Sequence, residues 1–274
     1  MPLRHERHLA GLSWQRVHEQ AARPGSTVLW PFGAIEQHGP LLPLGTDALF
    51  AERVADAVLE RLDPALPIWR LPLQSIGFSP EHLGFPGTLS LPSELMIELV
   101  RSVGTGIAAA GFQRLVLFNA HGGQIGLLEA AARELRLQEP RLAVLPCFLW
   151  RGADDLDQLI PEPERSEGLH AGLAETSLML FLEPDSHAEP GASPVLPTAD
   201  GPGADRRPPP GWSLEGACPC AWLTGELSDS GVIGNPAGAS ADLGRELFGR
   251  LVDGWERRLD ALMRSSWPLP SSPP

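Results

Sequence analysis

STVLWPFGAIEQHGPLLPLGTD, residues 26–47, carries both the pattern that decides the fold and the first sign of chemistry. Its first seven residues are a short apolar, β-rich run of the kind buried on both faces of a sheet. The Gly- and Pro-rich remainder cannot extend that strand. Beyond it, Leu49, Val54, Val58 and Leu62 recur at helical spacing, which predicts a helix over Ala48–Leu62. The same succession returns at RLVLFN (114–119), where a strand precedes a helix at Leu127–Leu137. Ile68–Leu71 and Leu142–Trp150 read as further strands, and Leu12–Ala22, Ser93–Ala110 and Ser240–Leu262 as helices, with Pro92 and Ser93 as entry signals. Strands alternating with helices predict an α/β fold with a mainly parallel sheet covered on both faces.

The 274 residues suffice for one large α/β domain or two small ones. A single domain over 1–274 is expected. The Pro/Gly/Ala/Asp-dominated stretch 183–210 reads as a long loop or insertion, because only a modest tail follows it, and the Pro/Ser-rich C-terminus should fray. A chain this long needs no metal merely to fold, so any metal it binds serves function.

Composition removes several classes of activity. The chain has no Lys and no Tyr, so a Schiff-base nucleophile, pyridoxal chemistry and a P-loop are excluded. A net charge of −13 opposes nucleic-acid and anionic-membrane partners. The three cysteines, Cys147, Cys218 and Cys220, do not form a secreted disulfide framework, and buried or partly buried thiols are expected. The first thirty residues lack a signal-peptide core, and nothing approaches a membrane span; a cytoplasmic protein is expected.

Four polar clusters punctuate the apolar elements. In the first, Glu36 and His38 stand two apart on extended chain and point to one side, while Asp47 returns after the Pro-rich loop. A carboxylate beside a neutral imidazole begins a zinc or manganese site. Singly, Asp47 reads as the cap of the following helix and His38 as a structural histidine; jointly they point to a cation. The second cluster, NAHGGQ (119–124), places His121 between a strand and a helix, where the carboxyl edge of a parallel sheet builds sites; a Gly-rich turn with an incidental His is an equal reading. In the third, HAGLAETS (170–177), five helical steps turn through about 140°, so His170 and Glu175 can meet only if His170 precedes the helix. The fourth contains Glu81 and His82 on a rigid loop; it suits substrate contact, and an ordinary surface loop explains it equally well. His5, His8, His18 and His187 lie outside these clusters and receive no role. Trp150, Trp212 and Trp222 lie near loops that could cover a site, with core packing the plainer reading for most of them, and residues 210–235 read as a lid or a subunit contact.

GAIEQHGPLLPLGTD, EHLGFPGTLSL, FNAHGGQ and HAGLAETS, in this order over Val28–Leu182, resemble the creatininase (creatinine amidohydrolase) family. The resemblance implies an α/β/α sandwich, a two-metal centre (zinc, with manganese or iron as alternatives) and often a hexamer of identical chains. It implies that Glu36, Asp47 and His121 hold one ion, that His38 holds the second with Asp47 bridging, and that His170 is the catalytic acid/base. Glu175 matches an acidic position at the site, both catalytic and a candidate ligand. Departures from the family pattern are Leu41, Ala120, Gly123 and Leu173. Gly123 replaces a Glu that binds the second metal in creatinine hydrolases, and Glu175 is the candidate replacement. The implied activity is hydrolysis of a C–N bond in a small cyclic amide, formamide or small peptide by metal-activated water. A metal-binding member without turnover, in a structural or interaction role, is the rival from another class.

Overall fold

A computed structural model describes residues 5–153, 155–184, 206 and 208–268. Four parallel strands, β1 (Thr27–Phe32), β2 (Ile68–Arg70), β3 (Arg114–Asn119) and β4 (Ala143–Phe148), form one sheet in the order β2-β1-β3-β4. Its longer helices are α1 (Trp14–Ala21), α2 (Thr46–Arg61), α3 (Ser93–Ala109), α4 (Ile125–Gln138), α6 (Leu173–Leu182) and α8 (Ala241–Arg264); α5 (Glu164–Glu167) and α7 (Thr224–Leu227) are single turns.

Both faces of the sheet are apolar, and successive residues go to opposite faces. Val28, Trp30, Leu115 and Leu117 pack with Met96 and Val100 of α3 and Leu128 and Leu135 of α4. Leu29, Val116 and Phe118 pack with Phe50 and Val54 of α2, Leu178 of α6 and Trp255 of α8. This is a three-layer α/β/α sandwich, and it explains why the central strands read as continuous apolar runs. Each fully buried large side chain contributes about 1.5–3 kcal/mol to holding the layers together. Trp255 sets its ring edge-on to Phe118, 4.9 Å between centroids, and donates its indole N–H to the Leu149 carbonyl at 2.8 Å.

At the amino edge of the sheet, the buried guanidinium of Arg114 donates to the Ser265 carbonyl at 2.9 Å and, through Nε, to the Trp267 carbonyl at 2.7 Å. It thereby ties the chain beyond α8 under the strands and satisfies a buried charge with backbone oxygens. At the opposite edge, Phe32 and Asn119 end β1 and β3 in register, so the loops that follow leave side by side.

One alternative reading falls and two expectations need correction. Asp47 is not the cap of α2: Gly45 occupies that position, and Asp47 lies inside the first turn with its side chain turned to the sheet edge. β4 stops at Phe148, where a 3-10 turn over Leu149–Gly152 replaces the expected extension to Trp150. Cys147 and Cys220 are half-buried free thiols, but Cys218 is exposed. Most of the expected 183–210 loop, His187 and the expected frayed end at 269–274 lie outside the described residues. Among the described residues no helix is long and apolar enough to cross a membrane.

Candidate metal centre

The loop after β1 and the first turn of α2 bring three buried side chains to the carboxyl edge. Glu36 and His38 stand on the loop, and Asp47 points at them from the helix. His121 enters from the end of β3. Its backbone is fixed locally: the Asn119 side chain accepts from the His121 N–H at 3.0 Å and donates to its carbonyl at 2.7 Å, while Gln124 donates to Asn119 at 2.9 Å. The polar residues of NAHGGQ thus hold one another, which the sequence pattern did not reveal.

Glu36, Asp47 and His121 form one group whose ligand atoms lie within 4.8 Å of one another, and His38, His170 and Glu175 form a second. Asp47 joins them: its Oδ2 lies 3.3 Å from His121 Nδ1 and its Oδ1 lies 3.5 Å from His38 Nε2. Glu36 Oε1 is 3.1 Å from His121 Nδ1. None of these approaches satisfies the carboxylates. Among the described residues, five buried side-chain atoms lack a hydrogen-bond partner, and four of them are Glu36 Oε1, Glu36 Oε2, Asp47 Oδ2 and His38 Nε2. Buried polar atoms are rarely left so. Their concentration at one point, with two carboxylates unneutralised by Arg, fits divalent cations, and mixed oxygen and imidazole donors suit zinc or manganese.

Backbone carbonyls set the tautomers of three imidazoles. His38 Nδ1 lies 3.1 Å from the Glu36 carbonyl, His121 Nε2 3.0 Å from the Phe78 carbonyl and His170 Nε2 2.6 Å from the Gln37 carbonyl. A carbonyl only accepts, so each of those nitrogens carries a proton, and in the neutral ring that binds a metal the other nitrogen keeps a lone pair. For His38 and His121 that lone pair faces the carboxylates; for His170 it lies on Nδ1, 3.9 Å from Glu36 Oε1. A ligand histidine held through its remote N–H is the usual support of a metal site.

Burial opposes charge on His38, yet Asp47, Glu175 and Glu36 raise its pKa to about 9. Despite its own burial, Asp47 is held below the usual carboxylate range by His38 and His121. Burial pushes Glu175 up to about 7 and His82 down to about 4. His170 falls well below the ordinary range through burial and the neighbouring His38 and His82. Against its burial, His121 is raised well above the ordinary range by Glu36 and Asp47.

His170 precedes α6, as the spacing argument requires, and antiparallel bonds to Ile233 hold it: each backbone N–H donates to the other's carbonyl, at 3.0 and 2.9 Å. The next residue, Ala171, has φ +53, the only positive φ at a non-glycine among the described residues. Glu175 accepts its N–H at 2.6 Å and Thr176 donates to its carbonyl at 3.2 Å, so α6 clamps this strained turn from both sides.

Glu81 and His82, half-buried and buried rather than on an exposed loop, line a chamber of about 40 Å³ together with Glu36, Asp47, His121 and His170. Glu81 explains one departure from the family pattern. A Cβ on residue 123 would lie 1.7 Å from Glu81 Oε1, so the carboxylate of Glu81 fills the space a side chain at Gly123 would need. A second chamber of about 260 Å³ shares His170 and Glu175 with the first and is lined by Phe148, Trp150, Leu156 and Ile160. Trp150 lines the larger chamber while packing edge-on against buried Phe50 of the core, Trp222 lines the smaller chamber, and Trp212 is exposed.

The creatininase family model, described as creatinine amidohydrolase, matches residues 10–259. The chain belongs to the creatininase family. Within this family of hydrolases, a mycofactocin precursor peptide peptidase of Mycobacterium tuberculosis is 34% identical over 247 residues, covering 85% of this chain and 84% of that protein. A creatinine amidohydrolase of Pseudomonas putida is 30% identical over 190 residues, covering 64% of this chain and 71% of that protein. The solved structure "Creatininase Mn" shares the fold, with TM-score 0.74 and 24% identity over 94% of this chain and 99% of that one.

Proposed function

We propose that this creatininase-family amidohydrolase is metal-dependent and cleaves a C–N amide bond in a small peptide-like substrate. The observation that carries the reading is the convergence of Glu36, Asp47 and His121 with His38 and Glu175, where both oxygens of Glu36, Oδ2 of Asp47 and Nε2 of His38 have no hydrogen-bond partner. Glu36, Asp47 and His121 would hold one ion, and His38 and Glu175 a second, with the two oxygens of Asp47 directed to either side. Divalent ions there would supply Lewis acidity and lower the pKa of water. Zinc fits the donor set, with manganese or iron as alternatives; solved family structures include "Creatininase Mn" and a "Zn-Zn type" mutant.

We assign the proton transfer to His170. Its Nδ1 lone pair faces the centre while its other nitrogen is held by Gln37, so it accepts a proton at Nδ1 and returns it to the departing nitrogen. Glu175 accepts the Ala171 N–H and so holds the turn that carries His170. Glu81 and His82 contact the substrate from the facing loop.

A peptide-like substrate is favoured over a small cyclic amide by the apolar chamber beside the centre and by the peptidase relatives, which match along most of both chains. The test is turnover of metal-loaded protein on short peptides, formamides and creatinine. Hydrolysis of peptides above the others is expected. No hydrolysis of any amide, with metal bound, would favour the metal-binding member without turnover.

A further inference from the structure

Four buried imidazoles surround the centre, and the fourth differs from the other three. His82 packs against His170, with 4.2 Å between ring centroids and the planes tilted by 30°. Its Nδ1 meets no carbonyl: it lies 2.8 Å from the side-chain nitrogen of Gln37 and 2.7 Å from the Thr224 hydroxyl. The orientation of the Gln37 amide decides what this means. The Gly39 N–H donates to Gln37 Oε1 at 2.8 Å, and Gln37 Nε2 donates to the Gly231 carbonyl at 3.1 Å. Turning the amide over would set N–H against N–H and oxygen against oxygen, so its NH2 group faces His82.

An amide NH2 only donates. His82 Nδ1 therefore accepts, and the ring proton lies on Nε2. That atom faces the small chamber, with Glu36 Oε1 at 3.5 Å and outside hydrogen-bond geometry. Glu36, His82 and His170 also bring their ligand atoms within 4.8 Å of one another, which would permit a metal. The tautomer argues against it, because a protonated nitrogen has no lone pair to give. Gly231 belongs to the same device. It has φ +89, and a Cβ there would lie 1.9 Å from Gln37 Oε1, so the seat of the amide requires glycine.

We infer that His82 is a hydrogen-bond donor to the substrate's carbonyl oxygen rather than a metal ligand, with Gln37 and Thr224 as positioning residues that keep its proton on Nε2. Three imidazoles offer lone pairs to the centre; the fourth offers an N–H where negative charge grows on the amide oxygen. Such a fixed donor is worth most in a site closed to water. Its catalytic consequence rests on the amidohydrolase reading, but the tautomer and the metal count do not.

The test has three readouts on the full-length, zinc-loaded protein. Two-bond 1H–15N spectra assign the ring nitrogens: His82 should show a protonated Nε2 and a bare Nδ1, and Gln37→Glu, which puts an acceptor against Nδ1, should move a proton there. Zinc per chain should be the same in His82→Phe as in the wild type. Dimethylphosphinate, a small tetrahedral oxyanion mimic, should bind the wild type and bind His82→Phe about 10- to 100-fold more weakly, the scale of one hydrogen bond to a charged oxygen. His82→Asn, which keeps an amide donor, should recover part of that loss. A proton on Nδ1 of the wild type, a zinc ion lost from His82→Phe or His82→Asn, or phosphinate affinity absent in the wild type or unchanged in His82→Phe would overturn the inference. If the tautomer, the metal count and the phosphinate result hold while no amide is cleaved, it is the hydrolase reading that has failed.

Discussion

The rim of the sheet and the late segment 208–235 both build this site, but by different means. The rim supplies chemistry from side chains: Glu36, His38, Asp47 and His121 stand at or near strand ends and turn their functional atoms inward. The late segment supplies orientation, much of it through backbone. The Gly231 carbonyl fixes the Gln37 amide, Ile233 pairs with His170, and Thr224 reaches His82 with its hydroxyl. Holding ions and aiming imidazoles are therefore separable, and changes on the two sides should fail differently.

The largest expected effect is on the rim. His121→Ala removes the imidazole shared by Glu36 and Asp47 and should cut amide hydrolysis by about 10³-fold or more, with loss of bound metal by elemental analysis. Gly231→Ala strikes the other side. Its Cβ displaces Gln37, so turnover should fall about 100-fold while the ion count stays unchanged. Its unfolding midpoint should also drop, by about 1–3 kcal/mol of stability, because the left-handed backbone is strained. Loss of metal from Gly231→Ala would erase the distinction between the two regions.

A pH series sharpens the description of the rim. In the metal-free protein His38 has its pKa raised from 6.5 to about 9, so it holds a proton at neutral pH that a metal must displace. Metal affinity should rise about tenfold per pH unit up to about 9, with proton release measurable by calorimetry in buffers of different ionisation heat. The sign for stability is opposite. The raised folded-state pKa stabilises the metal-free protein fully below pH 6.5, and this contribution is lost as pH rises through about 9. Metal affinity flat across this range would contradict the protonated His38. The smallest effect is at Gly123. Gly123→Ala pushes the Glu81 carboxylate aside and also crowds the His121 ring, 2.7 Å from the added Cβ, and should lower turnover severalfold.

The difference between the two regions also explains what could be read in the sequence. β1 and β3 are buried on both faces and so appear as apolar runs, and the acids and histidines at their ends stand out against them. Asp47 was legible as polar at a helix start, but whether it caps the helix or turns to the sheet edge depends on how closely the loop returns. Gln37, Thr224 and Gly231 were not legible as site residues. Each acts through one or two atoms, with no periodicity and no distinctive residue type, and Gln37 stands between Glu36 and His38 with no signal of its own. The fit of Glu81 into the space beside Gly123 is a relation between distant segments that only the fold displays.

Counting tightly bound zinc or manganese per chain in the wild type and in Asp47→Ala tests the metal centre most directly. One or two ions in the wild type, and none in a folded Asp47→Ala protein, is the predicted result, because this carboxylate faces both groups of ligand atoms. Equal metal in the two proteins, or none in a wild type given excess zinc or manganese at pH 8, would contradict it.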